Sequence, residues 1–117
     1  MVNRALAVIV AIGMLAGPAA AASVQEGQQL SIHHCAKCHG KDGKGNGPAI
    51  QLLGITTPIA NWTDKAQMSK MSDAYLTEII TKGGKAVGKS NHMPAFGSKL
   101  SGDQIQSMVE YIRSLSK

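Results

Sequence analysis

The sequence predicts an all-α domain of short helices joined by long loops, on three observations. Ile105, Met108, Val109, Ile112 and Leu115 recur at helical spacing and form one apolar stripe. Nothing from residue 23 onward alternates between apolar and polar as a half-buried strand would. Glycine and proline cluster in two stretches, 40–58 and 83–97, which read as loops rather than regular structure.

Each helix has its own local signals. Val24 to His34 reads as a short first helix, with Gly27 and Leu30 one turn apart on a face. Ser72 can cap a second helix from about Asp73 to Lys82. Asp73 suits the positive end of that helix, and Gly83 suits its stop. The last helix opens on Ser101 and Gln104, an S-x-x-Q capping box, with Leu100 placed to staple against Ile105.

The chain begins differently. One basic residue, Arg4, precedes a run of apolar or small residues from Ala5 to Gly17; Pro18 then leads into Ala19-Ala20-Ala21-Ala22. These are the parts of a secretory signal peptide, with cleavage expected after Ala22. The rival, an uncleaved anchor, needs a longer apolar run of ~20 residues. The expected organisation is therefore a leader at 1–22 and one domain at 23–117. Cleavage removes only Arg4 from the charge count, so the mature domain is one unit less basic than the +5 of the whole chain. A balance this mild and scattered gives no nucleic-acid footprint. Lys37, Lys41, Lys44, Lys82, Lys85, Lys89 and Lys99 are either plain solvated charges or a docking face for acidic redox partners.

A shortage of bulk is equally informative. The whole chain has one Trp, one Phe and two Tyr. A domain this small is near the lower limit of what a single core stabilises. A buried macrocycle could make up the deficit. Several hundred Å² of apolar cofactor surface, at about 25 cal/mol per Å², contributes on the order of 10 kcal/mol.

The only two cysteines stand in Cys35-Ala36-Lys37-Cys38-His39. Two thiols three residues apart can form thioethers with the two vinyl groups of one haem, and the next residue then aims its imidazole at the iron. C-x-x-C-H is accordingly a c-type haem attachment site, and export agrees with attachment outside the cytoplasm. A disulfide or a thioredoxin-type dithiol would also use C-x-x-C, but the latter belongs near a βαβ unit. A structural zinc site wants four ligands, and there is one cluster.

The second axial ligand sets what a haem protein can do. The methionines available are Met68, Met71, Met93 and Met108, and the remaining histidines are His33, His34 and His92. Met108 lies on the apolar stripe, while Met68 and Met71 flank a helix start and suit core filling. Met93 sits in the second glycine-rich loop, where Pro94 stiffens the backbone beside it. It is the expected sixth ligand, with His92 as a rival. His33 and His34 precede the attachment site on the same helix and are expected to face solvent or cap local carbonyls.

With these motifs in view, residues 24–116 resemble the class I cytochromes c. Cys35 to Gly40 looks like their attachment segment, and Gly83-Gly84 with Asn91-His92-Met93-Pro94-Ala95-Phe96 looks like their distal loop. The stripe from Ile105 to Leu115, including Tyr111-Ile112-Arg113, is similar to their last helix. The resemblance implies the cytochrome c fold, in which first and last helices cross and a glycine permits close approach; Gly27, Leu30 and Tyr111 match those positions. It implies one covalently attached haem c, bonded to Cys35 and Cys38, with His39 and Met93 on the iron. It also implies that Pro48 supports the proximal histidine and that Trp62 contacts a propionate. Leu30, where many relatives carry an aromatic residue, and the His33-His34 pair depart from the pattern. The function implied is a periplasmic single-haem electron carrier, not an enzyme, passing electrons between redox-partner proteins. The alternative is a cytochrome c subunit of a periplasmic dehydrogenase or oxidase complex.

Overall fold

The structure, a computed structural model, describes residues 8–13 and 22–117. The expected leader, apart from residues 8–13 and Ala22, lies outside the described residues. Among the described residues there is no strand, and no helix is long and apolar enough to cross a membrane.

The first helix, α1, runs Val24–His34, as the sequence predicts. Ser23 caps it, its hydroxyl accepting from the Glu26 N–H at 3.1 Å. The last helix, α6, runs Gly102–Ser114, and its capping box is formed in both directions. The Gln104 N–H donates to Ser101 Oγ at 3.2 Å, and the Ser101 N–H donates to Gln104 Oε1 at 2.9 Å. The stripe from Ile105 to Ile112 is buried, while Leu115, the C-cap residue, is partly buried against the core.

α1 packs on α6 at Gly27. A Cβ there would overlap the Ser107 carbonyl and lie 2.6 Å from Tyr111 Cβ, so the backbones approach as closely as only glycine allows. The buried Ser107 hydroxyl ties the same contact. It accepts from the Ser23 N–H at 3.0 Å and donates to Glu26 Oε2 at 2.9 Å, so this enclosed polar atom is satisfied.

Four α-helices lie between them among the described residues. α2, Ala36–His39, carries the cysteine motif; α3 spans Pro48–Leu52; α4 spans Lys65–Met68; α5 spans Asp73–Lys82. α5 has the predicted bounds, with Ser72 Oγ accepting from the Tyr75 N–H at 3.0 Å and Gly83 ending the helix at φ 84°.

The two stretches read as loops are not wholly irregular. α3 lies inside the first, because Pro48 at its first position has no N–H to leave unpaired and a fixed φ that suits a helix start. The second contains a single 3₁₀ turn, Lys85–Val87, closed by the left-handed Gly88. α4 is capped by Asp64, whose carboxylate accepts from the Ala66 and Gln67 N–H groups at 2.9 and 3.1 Å.

Trp62, Phe96 and Tyr111 are buried together, and Tyr75 packs against them. Every aromatic ring of these types thus serves one core. Arg113, on α6, fastens the α4–α5 turn to it, its guanidinium donating to the Met68 and Met71 carbonyls and pairing with Asp73.

Candidate functional site

Even with all its rings inward, the fold leaves an apolar cavity of about 500 Å³, within the ~300–1,000 Å³ typical of cofactor pockets. Cys35, Cys38, His39 and Met93 all line it. The sequence-expected residues, drawn from two distant segments, are therefore brought to one place.

The motif is held by the glycine-rich segment that follows it. The Gly45 N–H donates to the His39 carbonyl at 2.8 Å, and the Gly47 N–H donates to the Cys38 carbonyl at 3.0 Å. These bonds satisfy carbonyls that a one-turn helix leaves open at its end. Gly45 does so at φ 77°, and a side chain on Gly47 would overlap the Lys37 carbonyl. Glycine is needed at both positions.

Cys35 and Cys38 are both free thiols. Burial, with Cys38 adding to it, pushes the Cys35 thiol up to about 12. Among the described residues no group of three or more His, Cys, Asp or Glu converges to hold a metal ion.

Burial lowers His39 to about 4, so its ring is neutral at pH 7 and offers an unprotonated nitrogen. The imidazole stacks on Trp62, with centroids 4.5 Å apart and planes inclined by 21°. Its Nδ1 is enclosed and has no hydrogen-bond partner. Pro48 is exposed at the start of α3 and gives that atom no hydrogen bond, so the support implied by the resemblance is not made here.

The Met93 loop, also on the cavity wall, is fixed through its main chain. The Gly84 N–H donates to the Met93 carbonyl at 3.0 Å, and the Phe96 and Gly97 N–H groups donate to the Ile80 and Thr81 carbonyls on α5. A Cβ on Gly84 would overlap the Ser90 carbonyl; one on Gly83 would sit 3.0 Å from the Met93 carbonyl. Two glycines thus let the Met93 loop lie directly on the end of α5. Met93 is half-buried, whereas His92 is exposed at the rim.

The other methionines separate as the sequence suggests, with one addition. Met68 and Met108 are fully buried in the core, but Met71 lines the cavity. His33 and His34 are exposed, yet His34 also reaches the cavity, edge-on to Phe96 at 5.8 Å. The sequence reading missed Met71 and Tyr75 as cavity wall and Trp62 as the platform under His39. The lone tryptophan of a ring-poor chain was the available signal.

The donor set fits a haem: two thiols beside a neutral imidazole with a buried orphan nitrogen, a thioether on a clamped loop, and apolar walls. Comparison with known proteins agrees. A family model described as cytochrome c oxidase, cbb3-type, subunit III matches residues 22–112. The chain is similar to the cbb3-type cytochrome c oxidase subunit FixP of Bradyrhizobium diazoefficiens, 33% identical over 90 residues, covering 77% of this chain and 27% of that protein. It is also similar to subunit CcoP of Rubrivivax gelatinosus, 39% identical over 83 residues, covering 71% of this chain and 23% of that one. The chain thus spans about a quarter of the length of these relatives. Among solved structures, the KustC0563 c-type cytochrome superposes with a TM-score of 0.61 at 27% identity, covering 78% of this chain and 98% of that one. The attachment motif, the helical fold and the match over residues 22–112 together place this chain in the cbb3-type cytochrome c oxidase subunit III family, as a class I, single-haem c-type cytochrome with covalently attached haem c.

Proposed function

We propose that this chain transfers electrons outside the cytoplasm as the haem-bearing subunit, or part of one, of a terminal oxidase complex. The observation that carries the electron-transfer reading is the apolar cavity that gathers Cys35, Cys38, His39 and Met93. The relatives' names support the oxidase complex as the setting.

In this reading Cys35 and Cys38 hold the cofactor as thioethers. Each S–H would add across a vinyl C=C of the haem, with sulfur and hydrogen both taken up and nothing leaving. His39, neutral and stacked on Trp62, would offer its unprotonated nitrogen to the iron, and Met93 would offer its thioether sulfur. When bound, haem c supplies one-electron exchange between Fe(III) and Fe(II). The protein's part is to keep that exchange dry and to fix its potential. Lys37 and Lys89 line the same cavity and offer positive charge to an acidic partner. Residues 1–22 direct export to the periplasm and are removed after Ala22, leaving 23–117 as the haem domain; the Ser23 cap of α1 supports a domain that starts there.

A free carrier is the second reading, favoured by the neighbouring KustC0563 cytochrome, of which 98% is covered by this one domain. Purification from native membranes separates the two. A subunit stays with a larger complex through a high-salt wash, whereas a carrier docked by lysines is released and loses its transfer rate steeply with ionic strength. Complete release by salt would overturn the complex.

A further inference from the structure

Arg113 follows Ile112, which lines the cavity, but its own side chain leaves α6 for the α4–α5 turn. Nη1 donates to the Met68 carbonyl at 2.8 Å and Nη2 donates to the Met71 carbonyl. Nε donates to Asp73 Oδ1 at 2.6 Å. The Asp73 side chain is 71% exposed and that of Arg113 only 27%, so solvent screens the carboxylate while the carbonyl bonds are sheltered. The Met68 carbonyl also accepts from the Met71 N–H at 3.1 Å, and the fork therefore closes around the turn. This turn carries Met71 and leads into Tyr75, and both line the cavity.

We propose that Arg113 is a positioning residue for the haem cavity: its planar fork fixes the Met68–Asp73 turn against α6, and so holds the Met71 and Tyr75 wall that sets the reduction potential. The inference rests on the haem reading given above. Burial and polarity around the iron tune its potential, and a wall loosened from α6 admits water, which favours the more highly charged ferric state. Lysine would keep the charge but cannot bond two carbonyls and a carboxylate in one plane. Arginine's shape is thereby separated from its charge.

The test is a potentiometric titration of holoprotein carrying Arg113→Lys, Arg113→Met or Asp73→Asn, with haem mass and thermal midpoint measured alongside. The expected result is a lowered potential in both Arg113 variants and a wild-type potential in Asp73→Asn. An Arg113→Lys protein with haem and a wild-type potential overturns the proposal, since charge alone then suffices. An Asp73→Asn shift as large as that of Arg113→Lys also overturns it, because the exposed ion pair would then be the cause. If Arg113→Met yields no folded holoprotein, Arg113→Lys decides alone. Wild-type protein without haem mass would instead overturn the haem reading itself.

Discussion

Met93 owes its place to main-chain bonds and to neighbours without side chains. The Gly84 N–H holds its carbonyl, and a methyl at Gly84 would overlap the Ser90 carbonyl. Gly84→Ala should therefore displace the loop and destabilise the protein by about 1–3 kcal/mol, the usual cost of overpacking. Thermal unfolding of the holoprotein checks this; an unchanged midpoint contradicts it. Met93→Ala should abolish the weak long-wavelength sulfur-to-iron band of the ferric protein and open the ferrous form to carbon monoxide at neutral pH. A band that persists would assign the sixth position to another methionine, and Met71 also lines the cavity. At this scale the sequence was legible in which residues gather: Cys35, Cys38, His39 and Met93, picked from two distant segments, all line one cavity. Trp62 was not legible as the platform under His39, because the contact bridges residues 23 positions apart and no spacing rule announces it.

Helix ends were readable where a side chain caps a helix of several turns. Ser72 and Ser101, the two caps named from the sequence, each accept from a backbone N–H of the first turn, and α5 has the bounds that Ser72 and Gly83 signal; the Ser23 cap of α1 was not among those signals. Ser101→Ala should cost about 1 kcal/mol by removing the cap that the Gln104 N–H uses, a loss measurable as a lower denaturant midpoint. α3 was hidden because Pro48 reads equally as a loop residue and as a helix start, and its single turn has no periodic face. α4 is as short, and Asp64 ahead of it caps a turn too brief to show a stripe. The contact of α1 with α6 was foreseeable from Gly27 through family resemblance, but the Ser107 link to Ser23 and Glu26 was not, since serine in a helix announces no partner. Gly27→Val should separate the two helices and prevent stable folding of the holoprotein, because its side chain would meet α6 backbone rather than a movable tip. A stable, haem-loaded variant would show that close approach is dispensable.

The molecule as a whole is built with a cavity where many domains of its size have a filled centre. Its three buried rings and the partly buried Tyr75 line or support that space without closing it. The shortage of aromatic bulk in the sequence thus has a structural counterpart. Replacing Cys35 and Cys38 together by alanine should remove about as much stabilisation as the whole domain holds in reserve, on the order of 10 kcal/mol. The expected product has no sharp thermal transition; cooperative unfolding of a haem-free chain would refute the core-filling role. The setting of the domain was less legible than its chemistry, since the same four residues serve a free carrier and an oxidase subunit alike. The relatives favour the subunit, which the sequence reading had put second.

Covalent attachment at Cys35 and Cys38 underlies all of these expectations, and intact mass spectrometry of the purified, denatured wild-type protein tests it most directly. The account predicts a polypeptide heavier by one haem, with the added mass absent after joint replacement of the two cysteines. A wild-type chain at its bare polypeptide mass would contradict it.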